Sequence, residues 1–316
     1  MLSSSLKSVH DNTDKDSDAV ADAAPEGRES SDEFIQFSVA KNKLKTLEKK
    51  LSRVDKHLKS VWWKVPKYSQ THIARDVKML DDIRHRAKTT SPGSDNDDTS
   101  VFALLGAGGM GKTETARMWA HELCACVDGN VMWIDAENSS SVNSAFVQLC
   151  KRLGISLQDK FGKPTVVGDG LHHHVYQHFG TQKSLFIFDN VRDDAMLQHI
   201  LPKTNTVFPI ILVTSQSKTL RGNIQTYELG RFEERETSAL VSQIADNCVA
   251  DRETRIVGEL VNDIPFAVDI ASHIISKRGI SAEEFVKTFE RTAKDEKYEK
   301  DSRGVVGMLV KVRELK

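Results

Sequence analysis

One eight-residue string constrains this chain more than any other feature: Gly106-Ala107-Gly108-Gly109-Met110-Gly111-Lys112-Thr113. It follows Val101–Leu105, an apolar run with the length and composition of a buried strand, and leads into residues 114–125, whose composition favours a helix. Glycines allow successive main-chain N–H groups to turn inward around a phosphate with no side chain in the way. A helix starting at that point aims its positive end at the same anion. Lys112 adds a compact charge for the outer phosphates, and the Thr113 hydroxyl can ligate Mg²⁺. The spacing, in its strand–loop–helix setting, predicts a phosphate-binding loop.

Such a loop requires a second acidic group for Mg²⁺ at the end of a neighbouring strand. Residues 184–189 supply it: an apolar run with Asp189 where the strand emerges. Further strands are expected at 131–134, 210–213 and 225–229, with helices at 142–153 and 171–179 between them. Strands alternating with helices predict a parallel α/β sheet covered on both faces. Its ligand would sit beyond the carboxyl ends of the strands, where the loop, Asp189 and Thr214-Ser215 converge. Past residue 230 strand signals stop, and helices are expected at 233–247, 254–262, 265–277 and 282–292, with one more apolar helix at 305–312. The expected class is therefore α/β: a P-loop NTPase parallel sheet flanked by helices and followed by a small all-helical subdomain.

The N-terminal third reads differently. Residues 1–32 are rich in Ser, Asp and Ala with little to bury, the composition of a disordered acidic tail. Residues 33–64 read as an amphipathic or coiled-coil helix. Phe37, Ala40, Leu44, Leu47, Leu51, Val54, Leu58 and Val61 follow heptad spacing, with Lys43 and Lys50 at g and Glu48 and Asp55 at e. That pattern offers homo-oligomerisation through residues 37–61; a stripe packed on its own domain is the alternative. Residues 62–76 read as a loop pinned by Pro66, in which Trp62-Trp63 anchors the linker, and 77–86 resume helical spacing. The expected domains are 65–230 for the nucleotide-binding part, 231–292 for the helical subdomain and 293–316 for a C-terminal extension.

Composition narrows the class of partners. Lys and Arg total 44 against 45 Asp and Glu in 316 residues, a net charge of −1 that gives no electrostatic reason for nucleic acid or an anionic membrane. No apolar stretch approaches the length of a spanning helix, the N-terminus lacks an apolar leader, and four Cys suit reduced thiols. These features point to a cytoplasmic globular protein. His172, His173, His174 and His178 read as a partly exposed helix rather than a zinc site, and the basic run 41–59 as a solvated coiled-coil surface.

Five motifs in order, across about residues 65–289, resemble the NB-ARC group of STAND P-loop ATPases, the switch proteins of apoptosis and innate immunity. HIARD (72–76) resembles the motif that precedes the loop in that family and normally ends in Gly-Arg-Glu. GAGGMGKT is similar to its phosphate loop, LFIFDNV (185–191) to LLVLDDV, ILVTSQS (211–217) to the sensor strand ending in Arg, and DIPFAV (263–268) to GLPLAL. The resemblance implies ADP or ATP with Mg²⁺ as ligand. Ile73 and Arg75 would flank adenine and ribose, and the loop, from Gly106 through Gly108, Gly109, Met110, Gly111, Lys112 and Thr113, would wrap the phosphates. Thr113 and Asp189 would hold Mg²⁺, Thr214 and Ser215 would sit near the γ-phosphate, and Pro265 would close over the nucleotide. It also implies ADP at rest, ATP when active, and a domain rotation between them.

Three departures qualify the family's chemistry. Asn190 stands where a second carboxylate is usual, and an amide takes no proton. Gln216 replaces the sensor Arg. The chain also stops at Lys316, before a complete winged-helix domain, so 293–316 is expected to be an incomplete winged helix or a linker. The expected function is an adenine-nucleotide switch in signalling or defence with at most slow ATP hydrolysis; the alternative is an active P-loop ATPase or kinase-type enzyme. A GTPase is disfavoured because no Asn-Lys-x-Asp follows the loop, and a kinase because no Arg-rich lid follows Asp189.

Overall fold

The computed structural model describes residue 39 and residues 41–47, 60–75, 77–89, 101–157, 169–202, 209–245, 251–295 and 302–314. The chain divides into two units, Met1–Lys56 and His57–Lys316. In the first, residues 41–47 form helix α1, along which Leu44 and Leu47 are each 60% exposed. The expected tail at 1–32 and the seam positions Phe37, Ala40, Leu51, Val54 and Leu58 lie outside the described residues.

The second unit opens with a correction. The helix expected over 33–64 does not reach its end, because Trp62–Trp63 form a short strand, β1, paired in parallel with β3 (Val131–Asp135). Two adjacent indoles and the β-branched Val61 suit extended backbone. Asn130 then fixes the strand: its carboxamide oxygen accepts from Val61 N (3.0 Å), its amide donates to Lys183 O (2.9 Å), and Val131 N donates to Val61 O (2.9 Å). Val61 therefore belongs to the sheet edge and not to a heptad seam.

The remaining strands are β2 (Val101–Leu105), β4 (Leu185–Val191), β5 (Ile210–Ser215) and β6 (Ile224–Glu228), in the all-parallel order β1-β3-β4-β5-β2-β6. Alternation along the strands builds two cores. Phe102, Leu104, Val131, Trp133, Leu185, Ile187 and Leu212 face helices α2 (Lys78–Thr89) and α3 (Lys112–Leu123). Val101, Ala103, Met132, Ile134, Phe186, Phe188 and Val213 face α4 (Ser139–Leu153), α5 (Asp169–Phe179) and α6 (Asp194–Ile200). Burial on both faces explains why β2, β3, β4 and β5 read as apolar runs, whereas β6 at the sheet edge is polar and largely exposed.

Helices α7 (Glu234–Ile244), α8 (Asp251–Leu260), α9 (Pro265–Arg278), α10 (Ala282–Asp295) and α11 (Ser302–Glu314) form the bundle expected after the sheet. The break expected at residue 292 is not there. Val305, Met308, Leu309 and Val312 of α11 are buried in the same core as Phe285 and Phe289 of α10, so the C-terminal stretch extends the bundle instead of standing apart. Among the described residues no helix is long and apolar enough to cross a membrane.

Candidate functional site

The site forms where β2 ends and α3 begins. Gly109 (φ 83°) and Gly111 (φ 84°) hold left-handed conformations that only glycine adopts at little cost, and Gly111 is the N-cap of α3. The Lys112 ammonium folds back to donate to Gly106 O (2.8 Å) and Ala107 O (2.9 Å). Burial pushes its pKa down, and the Asp189 carboxylate acts against that shift.

Asp189 reaches the loop through a bulge. Register between β4 and β5 shifts between Phe188 and Val191, and Asn190 takes a left-handed φ of 68°. Asp189 Oδ1 accepts from Thr113 Oγ1 (2.8 Å) and from Thr214 Oγ1 (2.6 Å), while Asn190 N donates to Thr214 Oγ1 (2.8 Å). A hydroxyl and a carboxylate adjacent at the mouth of a glycine loop are the hard oxygen pair that suits Mg²⁺. The donor set fits the metal and the anion the sequence leads one to expect.

A cavity of about 530 Å³ opens above the loop, within the range of small-molecule sites. Gly108, Gly109, Met110, Gly111, Lys112 and Thr113 line its floor. Ile73, Arg75, Thr214 and Pro265 line its walls, so most of the expected residues share one space. Two do not. Ser215 is buried on the opposite side of β5, where its hydroxyl donates to Val191 O (2.6 Å) and accepts from Ser217 N (3.0 Å). Side-chain alternation explains this: Thr214 and Gln216 face the cavity, and the residue between them cannot. Gly106 is also absent from the cavity wall. A Cβ there would lie 2.5 Å from Leu229 O, so this glycine permits the ends of β2 and β6 to meet.

Arg75 borders the cavity with its guanidinium already committed. Nε and Nη2 donate to Glu236 Oε1 and Oε2 (both 3.3 Å), Nη2 also to Arg231 O (2.8 Å), and Nη1 to Gly230 O (3.0 Å) and Met110 O (3.4 Å). Five N–H donors meet five protein acceptors, so Arg75 lines the space where it is expected to flank the nucleotide without a spare guanidinium donor to offer it. Arg75 instead ties the segment before the loop to the start of α7.

The bundle closes the far side. Ile264, the N-cap of α9, has no capping side chain, and Pro265 at the first turn has no N–H. The next donor, Phe266 N, bonds to Gly109 O (3.1 Å), so a carbonyl of the phosphate loop caps the helix. Phe266 and Asp269 accompany Pro265 into the cavity from the same face of α9. Helical spacing of four from Pro265 could have flagged Asp269 in the sequence, and Phe266 lies within DIPFAV itself.

Glu114 and Arg117 of α3, neither of them in a motif, also line the cavity, as does His72, which opens the HIARD segment but is given no role there. Glu114 accepts from Arg117 Nη1 (3.1 Å) and from Ser69 N. Burial lowers the His72 pKa, Glu114 opposes that shift, and His72 Nε2 is buried without a hydrogen-bond partner.

A family model described as the NB-ARC domain matches residues 87–245. No curated protein matches the chain. Among solved structures, the chain is similar to a STAND protein with a tetratricopeptide repeat sensor from Pyrococcus horikoshii, at 13% identity and a TM-score of 0.47, covering 80% of this chain and 41% of that one. It is also similar to a Walker-type ATPase of Pyrococcus abyssi, at 14% identity and a TM-score of 0.44, covering 78% of each chain. A third similarity is to domain III of the Thermotoga maritima replication initiation protein DnaA, at 10% identity and a TM-score of 0.38, covering 78% of this chain and 96% of that one. The chain thus spans less than half the length of the first of these proteins.

Proposed function

The chain belongs to the NB-ARC family of STAND nucleotide-binding ATPases and switches, and from that premise we propose that it binds ADP or ATP with Mg²⁺ and works as a cytoplasmic signalling or defence switch that hydrolyses ATP slowly or not at all. The observation that carries the reading is the pairing of Thr113 with Asp189 at the mouth of the glycine loop, beneath a cavity closed by Pro265 and Phe266.

The roles follow from the residues. Backbone N–H groups from Gly108 to Thr113 take the phosphate oxygens, and Lys112 exchanges its two loop carbonyls for the outer phosphates. Thr113 and Asp189 hold Mg²⁺, which neutralises phosphate charge when bound. Ile73, Phe232, Leu240, Pro265 and Phe266 give the base an apolar seat. Asn190 and Gln216 both line the cavity near Thr214, so neither a proton-accepting carboxylate nor a guanidinium stands at those two positions. An amide orients water but takes no proton, which supports slow turnover.

Purified protein is denatured and the released small molecules are separated by chromatography. The reading expects a stoichiometric adenine nucleotide, and phosphate release indistinguishable from that of Lys112→Ala. Nucleotide-free protein that also fails to take up ADP, or several turnovers per minute above that control, contradicts it.

A further inference from the structure

Resting on the nucleotide-binding reading, we infer that Asp269 reads the sugar: its carboxylate accepts from the 2′,3′-diol of the ribose, so the site selects ribonucleotides over deoxyribonucleotides.

Helix α9 starts on the phosphate loop, held there by the bond from Phe266 N to Gly109 O. Asp269 follows Pro265 by four positions, so it lies about one turn, roughly 5 Å, further from the loop on the same face. A ribose stands at about that remove from the phosphates of a bound nucleotide. The rest of the lining suits the same ligand: glycines and Lys112 for phosphate, and apolar Ile73, Phe232 and Leu240 for a base. A polar belt in the same lining includes Ser69, Thr71, His72, Glu114, Arg117 and Asp269.

Asp269 is the carboxylate in this belt with capacity to spare. Glu114 is spent on Ser69 N and Arg117 Nη1. The ring beside Asp269, that of His273, approaches Oδ1 only to 3.6 Å, with Nδ1 2.9 Å from the Asp269 carbonyl oxygen. Among the described residues no donor stands within hydrogen-bond distance of the Asp269 carboxylate. Burial raises its pKa, His273 lowers it and Glu114 raises it again, the condition of an anion short of donors. Two adjacent hydroxyls supply two donors to one carboxylate, whereas a phosphorylated sugar would bring an anion against Asp269 and Glu114 together.

The test is calorimetric titration of the full chain, stripped of ligand, with ADP, 2′-deoxy-ADP, 3′-deoxy-ADP and IDP. Wild type is expected to bind ADP about 10- to 100-fold more tightly than either deoxy form, the scale of a hydrogen bond to a charged group. In Asp269→Ala the three should converge on the deoxy value; Asp269→Asn, equal in size, should retain part of the preference and guards against a folding artefact. Equal binding of ADP and both deoxy forms by wild type, or a preference that survives in both variants, overturns the inference while leaving nucleotide binding intact. So does a preference for ADP over IDP that Asp269→Ala abolishes, since that places the carboxylate on the base. Failure to bind any of the four overturns the nucleotide reading itself.

Discussion

Arg75 and Glu236 are separated by 161 positions in the chain and by 3.3 Å in the fold, with both side chains about nine-tenths buried. The pair joins the segment before the phosphate loop to the first turn of α7, where Glu236 also accepts from Glu233 N (2.8 Å) in a capping box. Removing one partner leaves a buried carboxylate and three main-chain carbonyls, those of Met110, Gly230 and Arg231, without this donor. Arg75→Ala is expected to lower unfolding free energy by about 3–5 kcal/mol. Arg75→Lys should rescue little, because an ammonium cannot reproduce the five-donor fork. Denaturant unfolding monitored by circular dichroism measures both.

Gly106 and Gly154 both have positive φ, 149° and 69°, but different surroundings. A Cβ at 106 meets the Leu229 carbonyl oxygen at 2.5 Å, whereas one at 154 meets nothing within 4 Å. Gly154→Ala should cost about 1 kcal/mol, the backbone term alone. Gly106→Ala should cost that plus displacement of β6, about 2–3 kcal/mol in all. Paired melting curves test the ordering, and equal shifts would refute it.

Lys112 and the Thr113–Asp189 pair divide the work of binding. Lys112→Ala should weaken ADP binding at least about 100-fold, the scale of losing a charged contact to phosphate. Its thermal midpoint without nucleotide should not fall, because a partly desolvated charge has been removed. Asp189→Asn should instead abolish the gain in affinity that Mg²⁺ gives, with metal-free binding little changed. Titrations with and without EDTA separate the two effects.

Asp269 gives stability a pH dependence of defined sign. Its folded pKa lies above the ordinary carboxylate value, first through burial. Between the two values the native state holds more proton than the unfolded chain, so stability falls as pH rises through that window. Asp269→Asn removes the charged form and should raise the melting temperature at pH 7, with the gain shrinking towards pH of about 4. A gain that is constant across that range would show that the carboxylate is not responsible.

The parts of the fold set by local rules are visible in the sequence. The glycine loop, the continuous apolar strands of a two-faced sheet and the amphipathic helices after residue 230 each carry their own pattern. β1 is not visible in this way, because two residues have no period and depend on Asn130, almost seventy positions away. The site divides likewise. Motif spacing reaches Lys112, Thr113, Asp189 and Pro265, but cannot tell that Ser215 points away from the cavity or that Arg75 is committed to Glu236. Glu114 and Asp269 belong to no motif and His72 carries no role in the HIARD segment it opens; only the folding of three distant segments around one hollow brings them together.

The bond from Phe266 to the Gly109 carbonyl makes the glycines and the five-helix bundle mechanically one device. Swinging α9 outward strips that helix of its cap and frees a carbonyl on the very loop whose amides must converge on an anion. An outward displacement of α9 is therefore expected to disturb the loop, and an anion held by the loop would oppose it. The latch and the grip meet in one peptide unit, whose oxygen is the Gly109 carbonyl and whose N–H belongs to Met110.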